Sequence, residues 1–112
     1  MPGTGLVRGR VYAAKLEHVG AEKYYLVVSN NRRNNAFEQV LAVRLTTTPP
    51  RSPRPAMVQL GSTEVFTGWA SCDDIETIWP DEVTRDLGAL TSHAMAGVED
   101  GLRAALGLLS TQ

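Results

Sequence analysis

Cysteine is nearly absent. Cys72 is the one cysteine in 112 residues, so no disulfide can form within the chain and a reducing cytoplasm is the expected compartment. No apolar run approaches the length of a membrane span, and the first twenty residues hold no signal-like hydrophobic stretch, so no membrane association is expected. Aromatic side chains make up only 6% of the chain, which leaves few rings to stack on a ligand. No Cys/His spacing fits zinc and no Gly-rich loop fits a nucleotide phosphate site. The carboxylates of "CDDIE" do not amend this, because neighbouring strand residues Asp73 and Asp74 point to opposite faces. No metal and no organic cofactor is expected.

What is present is ordinary in amount and unusual in arrangement. A hydrophobic fraction of 43% and a charged fraction of 21% suit a single soluble domain over residues 1–112. The net charge of −1 conceals two unlike halves. Residues 1–56 carry nine basic and three acidic side chains, a balance of +6, whereas residues 57–112 carry two basic and nine acidic, a balance of −7. Such polarity suits a basic face for a polyanion, provided that the fold keeps the halves apart.

Along the chain, 5–16 and 23–30 read as strands, the second rich in β-branched and aromatic residues. "SNNRRNN" at 29–35 stops that strand: four asparagines and two arginines in seven residues suit a turn rather than a core or an ordinary helix. Residues 39–46, 56–60 and 67–78 read as further strands, and the Pro-rich 46–55 cannot extend a ladder. Met95, Val98, Leu102, Leu106 and Leu109 then recur at spacings of three and four. They give one apolar stripe on a helix starting near Thr91 or Ser92, weakened by Gly97 and Gly101 and ending at Gly107. Short strands followed by a helix give an α+β, mainly β domain, a small bent barrel with a helix at its end.

"RGRVYAAKL", "YLVVSNNRRN", "VLAVRLTT", "CDDIETI" and "LTSHAMAGVEDGLRAALGL", in this order over roughly residues 6 to 109, resemble the successive motifs of the MazF/PemK toxin family. The resemblance implies an SH3-like barrel with a C-terminal helix, a homodimer, and metal-independent, sequence-specific cleavage of single-stranded RNA. The target would be mRNA or loops of tRNA or rRNA, and a cognate antitoxin would neutralise the toxin. A non-catalytic toxin on the same barrel, such as a DNA gyrase poison, is the alternative, since fold alone does not choose an activity. A gyrase poison would need its decisive residues at the end of the C-terminal helix, where this chain has "GLLSTQ".

Metal-free cleavage requires a base for the ribose 2′-OH, an acid for the leaving 5′ oxygen, and donors for the phosphorane. Lys23 starts one strand and Thr46 ends the next, so antiparallel pairing would bring them to one edge of the sheet. The family resemblance implies the same pair, with a departure. Lys23 stands where family members typically have the arginine of an Arg-Pro pair, and Tyr24 replaces the proline. Lysine cannot contact a phosphate bidentately, although it serves as a cation or, if desolvated, as a base. His18, five residues before Lys23, is a third catalytic candidate because imidazole titrates near neutral pH. For RNA binding the candidates are Asn31, Arg32, Arg33 and Asn34 of the "SNNRRNN" loop, Arg44 within its strand, and Arg51 and Arg54 in the Pro-rich loop.

Overall fold

Six strands pair into one antiparallel sheet, and β-branched and aromatic side chains dominate those at its centre. The computed structural model describes residues 3–108. Its strands are β1 (Arg10–Lys15), β2 (Glu22–Val27), β3 (Val40–Thr46), β4 (Met57–Leu60), β5 (Gly68–Ile78) and β6 (Val83–Ala89), in the spatial order β4-β5-β3-β2-β1-β6. The two edge strands do not pair, but the connection from β4 to β5 brings them together. Val65 of that connection lies against Gly88 of β6, and the Glu64 carboxylate accepts from the Thr91 amide at 2.9 Å and its hydroxyl at 2.6 Å. The result is a mainly β, SH3-like barrel left open along one seam.

Both faces of the central strands are covered, which explains why their sequences are nearly continuous apolar runs. One face contributes Leu26, Val43, Leu45, Ala70 and Cys72 to a core that also receives Val98 from the C-terminal helix. The other contributes Tyr25, Val27, Val40, Ala42 and Ile78 to a second cluster with Tyr12 and Leu16. That helix, α2 (Ser92–Leu106), begins where the Thr91 hydroxyl accepts from the Ala94 amide at 3.1 Å, and Gly107 ends it at φ 70°. Gly101 is a contact point rather than a weakness: a Cβ there would lie 2.6 Å from Val58 Cγ2 and 2.8 Å from Cys72 Sγ. Burial under this helix pushes the Cys72 thiol up to about 11. Leu106 is exposed, and Leu109 lies outside the described residues. No described helix is long and apolar enough to cross a membrane.

Two segments depart from the sequence reading. "SNNRRNN" is not a turn: Asn31–Ala36 forms a short helix, α1. Asn30 caps it by accepting from the Arg33 amide at 2.8 Å, and Asn34 is fully buried. The Asn34 amide donates to the Ser29 carbonyl at 2.9 Å and its oxygen accepts from the Ser29 hydroxyl at 2.5 Å. A cap and a satisfied buried amide outweigh the poor helix propensity of asparagine. The second departure is β6, which sequence reading missed because its exposed residues Thr84, Arg85 and Asp86 obscure any apolar pattern.

Candidate active site

Tyr24 of β2 pairs with Leu45 of β3, so the next residues outward, Lys23 and Thr46, face each other across the open end of the β2–β3 pair. Strand alternation puts both on the sheet face of Tyr25 and Ala42. They line one cavity of about 270 Å³ together with Glu22, Tyr24, Arg44, Thr48 and Phe66. Thr46 Oγ1 accepts from the Thr48 amide at 3.1 Å. That contact fixes the hydroxyl oxygen and leaves its hydrogen free to donate into the cavity. Gly68 secures the other side of Thr46. At φ 150° it packs so closely that a Cβ would fall 2.4 Å from the Thr46 carbonyl oxygen.

A larger concavity of about 630 Å³ lies between the β1–β2 loop and the 3₁₀ turn Pro80–Glu82. Glu17, Asp81 and Glu82 line it against one cation, Lys15, and this acidic balance suits no polyanion. The smaller cavity sets Lys23 and Arg44 against the single carboxylate of Glu22 and adds the Thr46 hydroxyl, so it is the candidate site. Among the described residues, no three His, Cys, Asp or Glu side chains gather as a metal site would require.

Beside the cavity lies a network that sequence reasoning missed. Arg85 of β6 donates to the Tyr24 hydroxyl at 3.0 Å and approaches Glu22 at 3.6 Å, while Thr84 donates to Glu22 at 2.5 Å. Arg85 reaches Tyr24 across Ala13, the residue that pairs with both. The Tyr24 ring also packs on Phe66, with centroids 5.3 Å apart. The signal for this network was β6 itself, since no local motif joins positions 22, 24 and 85.

The remaining candidates are spread more widely than expected. In an antiparallel pair the connecting segment and the open ends lie at opposite ends of the strands. Asn31, Arg32, Arg33 and Asn34 therefore sit beyond Val27, more than about 13 Å along β2 from Lys23, and not beside the Lys23–Thr46 edge. Asn34 is buried with its amide in use, and Arg33 donates to the Gln39 carbonyl at 2.8 Å with its guanidinium over Phe37. His18 turns to Glu76 at 3.1 Å, level with Ala42 rather than with Thr46. Arg54 pairs with Asp73 at 3.1 Å, and this hydrogen bond holds the Asp73 carboxyl below its usual range. Arg51 is exposed in the Pro-rich loop. Arg44 alone of these seven RNA-binding candidates lines the cavity.

Residues 7–106 match the family model described as the PemK-like, MazF-like toxin of type II toxin–antitoxin systems. The chain belongs to this family. Endoribonuclease MazF4 of Mycobacterium tuberculosis H37Rv is 43% identical over 102 residues, covering 91% of this chain and 93% of the relative. Endoribonuclease MazF1 of Mycobacterium bovis matches to the same extent, 43% over 102 residues. A mycobacterial endoribonuclease solved in complex with its cognate antitoxin superimposes with a TM-score of 0.86 at 39% identity, covering 96% of this chain and 100% of that one. MazF in a MazE–MazF structure from Deinococcus radiodurans, 20% identical with a TM-score of 0.73 and covering 93% of this chain and 97% of that one, shares the fold. The family's barrel and helix are thus both present here.

Proposed function

We propose that this toxin is an endoribonuclease that cuts single-stranded RNA at the Lys23–Thr46 cavity by attack of the ribose 2′-OH, and that a cognate antitoxin restrains it in the cytoplasm. The observation that carries the reading is the convergence of an ammonium and a hydroxyl with a free proton across the open end of β2 and β3. The 2′ oxygen forms a bond to phosphorus as the bond to the 5′ oxygen breaks, leaving a 2′,3′-cyclic phosphate and a free 5′-OH. Thr46 donates to a non-bridging oxygen, where charge grows in the transition state. The Lys23 ammonium stabilises the charge that grows on the departing 5′ oxygen, while water gives that oxygen its proton and takes up the 2′ proton. His18, turned to Glu76, is left out of this scheme. No step calls for a metal-bound water, so activity should survive EDTA.

Thr46→Ala should abolish most cleavage while RNA is still held, because a donor to the phosphorane acts mainly in the transition state. Lys23→Arg should retain cleavage, since the side chain acts as a cation. Loss of RNA binding in Thr46→Ala, or cleavage at the wild-type rate, would overturn the assignment. Tight binding to gyrase with no RNA cut would place the chain among non-catalytic toxins. The exposed Leu106 and Leu108 at the end of α2 support a homodimer, which sedimentation at micromolar concentration should detect.

A further inference from the structure

Arg44 is the one charged residue inside β3, and it is only partly exposed. Its cross-strand partner on one side is Tyr25; on the other it faces Ser71. Between Val43 and Arg44 the β3–β5 register slips from Ile75 to Ser71, so Cys72, Asp73 and Asp74 form a bulge opposite Arg44. Bulges of this kind re-aim side chains next to active sites. Arg44 Nε and the Tyr25 hydroxyl are both buried without a hydrogen-bond partner. Among the described residues Arg44 forms no ion pair, whereas Arg8, Arg10, Arg54, Arg85 and Arg103 all do. A half-buried guanidinium in a central strand with no carboxylate partner calls for an explanation.

The surroundings narrow the explanation. Arg44 shares the cavity with Lys23 and Thr46 and lies two residues, about 7 Å, from Thr46, which is close to one nucleotide along a strand. Glu76 pairs with Ala42, two residues along β3 from Arg44, and Asp74 belongs to the bulge opposite Arg44. Burial raises the Tyr25 hydroxyl above its ordinary value, Arg44 opposes this, and Glu76, Asp74 and Glu82 add to it. Carboxylates one step along the neighbouring strand from Arg44, though not paired with it, disfavour a phosphate there but are suited to amino groups of a base. Donors and acceptors side by side match a base edge rather than a backbone.

We infer that Arg44, with Glu76 and Asp74, reads a guanine base next to the scissile phosphate. This rests on the endoribonuclease reading above. The guanidinium donates to O6 and N7, the commonest specific arginine contact with a base, and a carboxylate accepts from N1–H and the 2-amino group. His18, bound to Glu76, positions that carboxylate.

Sequencing the 5′ ends of fragments from a random single-stranded RNA tests this for the wild type, Arg44→Gln and Glu76→Gln. Wild-type cuts should share a guanine at one position flanking the cut. Arg44→Gln and Glu76→Gln should reduce that preference by about 10- to 100-fold while cutting continues. With wild-type protein and a single RNA, replacing that guanine by inosine, which lacks the 2-amino group, should slow cutting, so the test does not depend on the variants folding. An unchanged guanine preference in both variants, or equal cutting of inosine and guanine, overturns base reading. A uniform loss at all sites with the preference kept would make Arg44 a phosphate contact and likewise overturn it. If wild-type protein cuts no RNA, the endoribonuclease reading itself fails, and this inference fails with it.

Discussion

Gly68→Ala is a single methyl group added outside the cavity, and it should disable the site. The new Cβ would fall 2.4 Å from the Thr46 carbonyl oxygen and 3.1 Å from the Phe66 ring. Real Cβ contacts essentially never fall below 3.0 Å, so β3 and β5 must part by about 0.6 Å at Thr46, whose hydroxyl is the proposed donor to the phosphorane. The flexible Phe66 ring can move aside, but the Thr46 carbonyl belongs to the backbone and must carry Thr46 with it. The overlap, together with a φ of 150° that L residues rarely adopt, should destabilise the fold by about 2–3 kcal/mol. Misplacement by a large fraction of an ångström costs roughly one to two orders of magnitude in rate. Urea unfolding and steady-state cleavage of a fluorogenic RNA would measure the two effects on the same preparation. The expected pattern is a large loss in kcat with a small change in KM, at a temperature where the variant is folded. Wild-type stability, or wild-type kcat in a destabilised variant, would refute the idea that Gly68 holds Thr46 in place.

Asn34→Ala should destabilise the protein by about 2–4 kcal/mol, because it removes both of its hydrogen bonds with Ser29 and leaves buried polar groups unpaired. Denaturant melts would measure the loss, and the folded variant should still bind RNA, since Asn34 has no exposed surface to offer. Gly101→Val should lift α2 from Val58 and Cys72, costing about 1–3 kcal/mol and making Cys72 reactive to a thiol reagent under conditions where the wild type is inert. Hydrogen bonds from the Thr91 hydroxyl and amide hold Glu64 below its ordinary pKa. Its contribution to stability is therefore complete above the ordinary carboxylate range and is lost as the pH falls through the depressed folded value. Thermal melts from pH 6 to pH 3 should show a steeper loss for wild type than for Glu64→Gln.

Local sequence carried the central strands and α2, because each has a strong period and clear ends. Val40–Thr46 and Ser92–Leu106 fall almost where alternation, the Thr91 cap and Gly107 put them. The first strand was read too long, from 5 instead of 10, because Gly5 and Gly9 take positive φ and break it. The helix α1 was illegible because tertiary contacts complete it: Asn34 is held by Ser29, and the Thr4 amide and hydroxyl donate to the Asn34 carbonyl at 2.9 and 3.1 Å. Lys23 and Thr46 were legible as the open ends of a strand pair, so their approach needed only adjacency. That "SNNRRNN" lies away from the Lys23–Thr46 edge follows from the same logic, since a connection between two antiparallel strands cannot lie at their open ends. Arg85 was beyond reach because its role requires β6, an exposed strand without an apolar pattern, to pair with β1.

The central claim is that the ribose 2′-OH is the nucleophile at the Lys23–Thr46 cavity. The most direct test is one RNA, cut by wild-type protein in EDTA, compared with the same strand carrying a single 2′-deoxyribose 5′ of the scissile phosphate. Cleavage at that bond should cease, binding should remain within a small factor because phosphates and base edges supply most contacts, and the all-ribose product should end in a 2′,3′-cyclic phosphate. Cutting of the deoxy-substituted bond, or cutting of the all-ribose strand only when magnesium is supplied, would contradict the account.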